Sequence, residues 1–152
     1  MLENNQMIFI FMMNIKQVIR RILKEEKNEK PKVFNFRKYT LILSKNPCDI
    51  FKHFDVEELH GLTLKACLSH KNTKKSSYIA GLVNLSPKTN KPFLFLNLNR
   101  LGDGKEKMGV IMHETFHMSL ELHDYDVKNK EEEIVTWAEN EAYKIYDIID
   151  DL

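Results

Sequence analysis

A sharp break at Gly102-Asp103-Gly104 divides this chain into two parts with different hydrophobic patterns, and this division constrains the fold more than any other feature. Before the break, the residues from Pro92 to Leu98 alternate between two faces in the manner of a β-strand. After it, apolar residues recur at helical spacing over about 105–122 and again from about 130 to 150. We therefore expect an α+β fold, in which a small antiparallel or mixed sheet packs on helices and two helices end the chain.

The part before the break carries weaker signals for several short elements. Helical spacing predicts an amphipathic helix over about 15–30, and an Asn-Pro start predicts a short helix over 46–54. Apolar or alternating runs predict further strands over 33–43, 62–68 and 78–85. No linker is evident, so we expect a single domain over 1–152, made of an N-terminal apolar segment and helix (1–30), a sheet-rich part (31–104) and the two helices (105–152).

Composition excludes several classes of function. The chain has 152 residues, with 23 Lys+Arg against 22 Asp+Glu and a formal net charge of +1. Such a balance argues against a protein that mainly binds nucleic acid or an anionic membrane surface. The apolar run at 7–13 is too short to span a bilayer, and no basic segment precedes it as in a signal peptide. Cys48 and Cys67 cannot make a disulfide framework, so a reducing cytoplasm is the expected location.

The strongest chemical signal is the HExxH sequence His113-Glu114-Thr115-Phe116-His117. Residues four positions apart lie about 40° apart around a helix and one turn apart along it, so both imidazoles can hold one metal ion. The glutamate beside the first histidine can act as a general base towards water. Zinc suits this chemistry because it lowers the pKa of water without redox reactions. The motif therefore predicts a zinc site on the first of the two C-terminal helices.

A catalytic zinc site needs a third protein ligand, and the sequence leaves two kinds of candidate open. His123 follows at the spacing of the metzincin motif. However, Leu120 stands where that motif has glycine, and no methionine follows Met118 to form the family's Met-turn. If the helix continued without a break, His123 would face away from His117.

The other candidate is a glutamate from the last helix, as in gluzincins. The predicted apolar stripe of that helix is Ile134, Val135, Ala138, Ala142, Ile145 and Ile149. Glu132, Thr136, Glu139 and Tyr143 form a polar line along the border of this stripe. The line could face a metal ion while the stripe packs on the preceding helix. The helix dipole alone favours glutamates near a helix start, but it does not account for Glu139, which lies two turns further on.

The chain at this point resembles the ImmA/IrrE-type zinc metallopeptidases, which are minigluzincin-like. The resemblance rests on the HExxH residues followed by Glu139-Asn140-Glu141-Ala142, which is similar to the family's ExEA stretch. It covers roughly the last fifty residues, and Tyr143 departs from it where the family usually has Asn. The resemblance implies that His113 and His117 bind one Zn²⁺ per chain and that Glu114 is the catalytic base. It also implies that Glu139 is the third ligand, with Glu132 next and Glu131 or Glu133 after it. His123 remains the alternative that the metzincin spacing offers.

The same resemblance implies a function and a way of binding substrate. It implies a zinc-dependent metallopeptidase that cuts a protein or peptide, such as a regulator or repressor. The strand at Phe93–Asn97 would be an edge along which an extended peptide could lie. Tyr143, Tyr125 and His123 are the candidates for stabilising the oxyanion. The alternatives are a catalytically silent zincin-fold binding module and a metzincin-like protease using His123; neither a nucleic acid nor a membrane is an expected partner.

Overall fold

The computed structural model describes residues 14, 16–21, 30–54, 63, 65–67, 79–86 and 89–152. The predicted α+β class, with a small mixed sheet and two helices at the C-terminal end, is confirmed. The apolar run at 7–13 lies outside the described residues, and residues 16–21 of the predicted N-terminal helix are helical. The strands are β1 (Lys32–Asn35), β2 (Thr40–Ser44), β3 (Gly81–Leu85) and β4 (Pro92–Asn97). A 3₁₀ turn (Pro47–Asp49) leads into α1 (Ile50–His53), and the long helices are α2 (Lys105–Leu122) and α3 (Val127–Asp150).

The four strands form one sheet in the order β1-β2-β4-β3. β2 and β4 run parallel to each other, whereas the two outer strands pair antiparallel with their neighbours. Every residue of β2 and β4 is buried, as expected for strands covered on both faces. The expectation that Phe93–Asn97 is an edge strand is therefore wrong, because β4 lies between β2 and β3; among the strands that the structure describes, β3 is the edge beside it.

Each face of the sheet has its own hydrophobic core. On one face, Leu94 and Leu96 of β4 pack with Ile111 of α2 and Ala142 of α3. On the other face, the alternate residues of the same strand pack with Ile50 of α1 and with the 3₁₀ turn. The period of two along β4 thus assigns its side chains to two different cores.

Two predictions in the first part of the chain are wrong. The single strand expected over 33–43 is two antiparallel strands, because the chain turns at residues 36–39, where the Phe36 amide donates to the Tyr39 carbonyl at 2.9 Å. The strand expected over 62–68 is helical at the described positions 63 and 65–67. Short apolar runs do not distinguish a buried strand from a buried helix, which explains this error. Cys67 in this segment forms a disulfide with Cys48, a pairing that composition did not predict.

The two long helices pack antiparallel. The Ser119 hydroxyl donates to the Ile134 carbonyl at 2.7 Å near one end, and Lys107 pairs with Asp150 at 3.1 Å near the other. α2 has the bounds that the sequence predicts. α3 begins a few residues earlier than expected, at Val127, but its backbone is non-helical at Lys130, the residue at which the predicted connection between the two helices ends.

The buried stripe of α3 is Ile134, Ala138, Ala142 and Ile145. Val135, which the sequence placed in this stripe, is 38% exposed and lies outside it. No helix among the residues that the structure describes is long and apolar enough to cross a membrane.

Candidate functional site

Helix α2 carries the HExxH residues past the edge strand β3. Its inner face buries Ile111, Thr115 and Met118, which fixes the rotation of the helix about its axis. His113 and His117 lie on the opposite side and are exposed. The same periodicity that builds the core therefore presents both imidazoles to solvent.

The two imidazoles converge. Nε2 of His113 lies 3.1 Å from Nε2 of His117, and the ring centroids are 4.6 Å apart. Two nitrogen ligands of one tetrahedral zinc ion, each at about 2.0–2.1 Å, lie roughly 3.3 Å apart. The pair thus fits two positions of a zinc site with a shift of about 0.2 Å, which is within ordinary side-chain freedom.

Glu114 points from α2 towards the edge strand rather than into solvent. A Cβ atom built on Gly81 would lie 2.5 Å from Cγ of Glu114, so the carboxylate side chain crosses directly over this glycine. Burial raises the pKa of the Glu114 carboxyl, while the neighbouring imidazoles of His113 and His117 act in the opposite direction. A raised pKa brings this carboxyl closer to the range in which a general base is effective.

The structure does not bring a third ligand to the imidazole pair. Across the described ranges, no group of three His, Cys, Asp or Glu residues is arranged to hold a metal ion. Glu139 and Glu132 are both exposed on α3. His123 follows an unbroken α2, and its Nδ1 lies 2.7 Å from the Ser119 carbonyl oxygen. Because that oxygen can only accept, Nδ1 carries the proton and the ring is held along the end of the helix.

The second glutamate of the Glu139-Asn140-Glu141-Ala142 stretch has a structural position. Glu141 accepts a hydrogen bond of 2.6 Å from the buried Tyr39 hydroxyl, which comes just before β2. Burial and the carboxylate of Glu141 raise the pKa of Tyr39 far above its usual range. Lys144 lies 3.5 Å from the same carboxylate. This contact links α3 to the sheet. It therefore also fixes the position of Glu139, which lies two residues earlier on the same helix and on another side of it.

Two shallow hollows flank Glu114 along β3. One, of about 250 Å³, extends towards the end of α2 and is lined by His117, Glu121, Tyr125 and the backbone of β3. The other lies towards the start of α2 and includes His113 and Glu106. Together they form a cleft along the edge strand, with Glu114 at its centre.

The cleft contains residues that sequence reasoning missed or left undecided. Glu121 follows His117 by four residues and His113 by eight, so helical spacing places it on the same face. Of the three candidates for stabilising the oxyanion, only Tyr125 lines the cleft. Tyr143 is 59% exposed on α3 and lines neither hollow. Gly81 was also missed, although glycine within a strand marks a close approach.

Comparison with family models, with curated proteins and with solved structures finds no match to this chain.

Proposed function

We propose that this protein is a zinc-dependent metallopeptidase that hydrolyses a peptide bond of a protein substrate. The observation that carries the proposal is the convergence of the His113 and His117 imidazoles at 3.1 Å beside the half-buried Glu114. At this distance one imidazole can donate a hydrogen bond to the other, and the same approach places both nitrogens where two ligands of one metal ion lie. The motif, its helix and its place at the edge of the sheet all support the same chemistry.

In this proposal each residue of the motif has a distinct task. His113 and His117 bind the ion, which when present supplies a Lewis acid for the scissile carbonyl and lowers the pKa of water. Glu114 takes a proton from the attacking water and passes it to the leaving amine. Its partial burial supports this task, because a carboxyl with a raised pKa returns the proton more readily than an ordinary carboxylate.

The third ligand in the proposal is Glu139, with Glu132 and His123 as alternatives. Glu139 keeps this place because it stands in the ExEA-like stretch and on the helix that the Tyr39–Glu141 hydrogen bond anchors. Its side chain is exposed, so it has freedom to rotate towards an ion. Replacing each of the three with alanine in turn, with zinc affinity as the readout, identifies the ligand. A loss of 10-fold or more in affinity is the expected effect for the true ligand.

The substrate in this proposal lies extended along β3. This strand is the edge of the sheet, and the cleft runs along it past Glu114. An exposed strand edge can bind a peptide through main-chain hydrogen bonds. A regulator or repressor protein is the proposed substrate class, following the resemblance to ImmA/IrrE-type enzymes.

The experiment that tests the function begins with the metal. Purified protein should contain about one zinc per chain, and His113→Ala and His117→Ala should lose it. His53→Ala is the matched control, because His53 is exposed and lies on α1, remote from the motif in sequence. Full zinc content in both motif variants would refute the site. Glu114→Gln should keep zinc and abolish peptide cleavage, and unchanged turnover would remove the proposed base.

A second candidate is a catalytically silent zincin-fold binding module. The absence of a third ligand beside the imidazoles, within the part of the chain that the structure describes, favours it. The two candidates differ in the Glu114→Gln variant, because a binding module retains its full function when the carboxylate is lost.

We also propose a cytoplasmic location, as composition predicts. The pairing of Cys48 with Cys67 argues against it, because disulfides are rare in reducing compartments. Trapping free thiols during cell lysis tests the location, since two free thiols per chain are expected from cytoplasmic protein and none from an oxidising compartment.

A further inference from the structure

The cleft along β3 has an acidic end that the proposed hydrolysis does not use. Beyond His117, the hollow is lined by Glu121 and Tyr125 on one side and by residues 81–83 of β3 on the other. Glu121 lies one helical turn beyond His117, which corresponds to about 6 Å along α2. An extended peptide advances roughly 3.3 Å per residue, so this distance equals about two substrate residues.

The carboxylate of Glu121 is held in a fixed orientation. The Tyr125 hydroxyl donates to Oε1 of Glu121 at 2.6 Å, and this hydrogen bond raises the pKa of the Tyr125 hydroxyl. Because an ionised carboxylate can only accept, the hydroxyl is the donor in this contact. Among the described residues this is the hydrogen bond that the Glu121 carboxylate accepts, and Glu121 lines the hollow.

The backbone around Tyr125 adopts a conformation that costs free energy. Both Asp124 and Tyr125 lie in the left-handed region, with φ of 53° and 56°, although neither is glycine. The turn is held by a hydrogen bond of 2.8 Å from the Tyr125 amide to the Leu120 carbonyl. It brings the phenol back along α2 to reach Glu121. Strained residues of this kind persist where the surrounding structure holds them and often serve a functional site.

Among the described residues, the charged side chains that line the cleft are carboxylates, with the two histidines as the exception. The ionisable residues that line its two hollows are Glu106, Glu114 and Glu121 with His113, His117 and Tyr125. Of the residues that the structure describes, no Lys or Arg lines either hollow. A cleft with this charge favours a cationic ligand, because complementary charge speeds encounter and disfavours anionic competitors.

We propose that Glu121, oriented by Tyr125, binds a Lys or Arg side chain of the substrate about two residues from the scissile bond. Glu121 is thus the specificity-determining residue of the cleft, and Tyr125 is a positioning residue that acts through it. The position relative to the scissile bond rests on the proposed peptidase function. The recognition of a cationic peptide by Glu121 does not, because it needs only the cleft and its charge.

The first experiment measures specificity. A proteome-derived peptide library, prepared with a Glu-specific protease so that Lys and Arg remain internal, is incubated with the full chain and zinc, and new ends are read by mass spectrometry. Lys and Arg should be enriched at one position about two residues from the cleavage site. Glu121→Gln should reduce the ratio of basic to neutral residues at that position, whereas Asp147→Asn, an exposed α3 residue outside both hollows, should not. Cleavage without basic enrichment would overturn the inference and leave the peptidase function intact.

The second experiment measures binding and keeps the inference testable if no peptide is cleaved. Fluorescent (Ala-Lys)₅ and (Ala-Gln)₅ peptides are titrated against full chains carrying Glu114→Gln, so that no cleavage competes. The lysine peptide should bind more tightly, and adding Glu121→Gln should weaken its binding about threefold. Adding Asp147→Asn should leave the affinity as it was. An equal effect of the two added substitutions would show that Glu121 recognises nothing, whatever the outcome for catalysis.

Discussion

Gly81→Ala tests the close approach between the edge strand and the proposed catalytic base. The added Cβ atom would lie 2.5 Å from Cγ and 3.0 Å from Cδ of Glu114, and 3.2 Å from Cδ2 of Leu96. Cγ is in the middle of the glutamate side chain rather than at its flexible end. Relief to an ordinary contact of about 3.4 Å therefore moves the side chain, the strand or α2 by roughly 0.9 Å.

The magnitude follows from two opposing contributions. Overpacking of this kind costs about 1–3 kcal/mol, whereas replacing a strand glycine by alanine returns about 0.5–1 kcal/mol of conformational entropy. The expected net loss is about 1–2 kcal/mol, equivalent to a Tm lower by roughly 3–6 °C for a chain of this size. A displacement near 1 Å of a catalytic group costs about 100-fold in turnover, so cleavage should fall by far more than stability alone explains.

The assay is urea or thermal unfolding of a double-mutant cycle. Glu114→Ala removes both Cγ and Cδ, so Gly81→Ala in that background should lose about 1 kcal/mol less than in the wild type. Gly109→Ala is the matched control. A Cβ atom at Gly109, within α2, meets nothing within 4 Å, and the substitution should stabilise the helix by about 0.5–1 kcal/mol.

Two results would refute the reasoning. One is a penalty for Gly81→Ala that is the same with and without the Glu114 side chain, because the clash would then lie elsewhere. The other is a stabilising effect of Gly81→Ala equal to that of Gly109→Ala, because the predicted contact would then not exist.

Three further predictions concern the contacts that hold the site in place. Tyr39→Phe should lower the free energy of unfolding by about 1–2 kcal/mol at neutral pH, because it removes the hydrogen bond to Glu141, and a chemical denaturation curve measures the loss. The folded state raises the pKa of Tyr39, so the contribution of this residue to the free energy of unfolding is present below pH about 10 and is lost as pH rises further. The free energy of unfolding of the Phe variant should therefore fall less steeply at alkaline pH, and an equally steep fall would contradict the assignment. Reduction of the Cys48–Cys67 disulfide, whose sequence separation is 19, should cost about 3 kcal/mol in urea unfolding, and a variant with serine at both positions should not respond to the reductant. Ser119→Ala should destabilise the packing of α2 on α3 by about 1 kcal/mol, and no change in the unfolding midpoint would show that its hydrogen bond to Ile134 contributes nothing.

The helical half of the chain could be predicted from its sequence in detail. The bounds of α2 follow from the Gly102-Asp103-Gly104 break and from the apolar residues at helical spacing, because a helix of this length repeats its pattern over several turns. The convergence of His113 and His117 follows from the same geometry. The apolar face of α3 was predicted except at Val135, which is 38% exposed.

The sheet could be predicted only in part. The strands at 81–85 and 92–97 were predicted. However, a short run of residues does not indicate which strands lie beside it in the sheet, so the strand order could not be predicted. As a consequence, β4 was predicted to be the edge strand, whereas β3 has that position in the structure. Both strands alternate or run apolar, and only the parallel pairing of β2 with β4 decides which of them is central.

The sequence by itself determined the pair of imidazoles, the glutamate beside them and the two long helices, because each depends on contacts within a few turns of one helix. Only the tertiary structure decided that Glu114 crosses Gly81, that Cys48 meets Cys67, and that Glu121 and Tyr125 close one end of the cleft. These features join residues that are far apart in the chain or depend on a strained turn. Their geometry is set by the packing of helices against the sheet, which local periodicity does not encode.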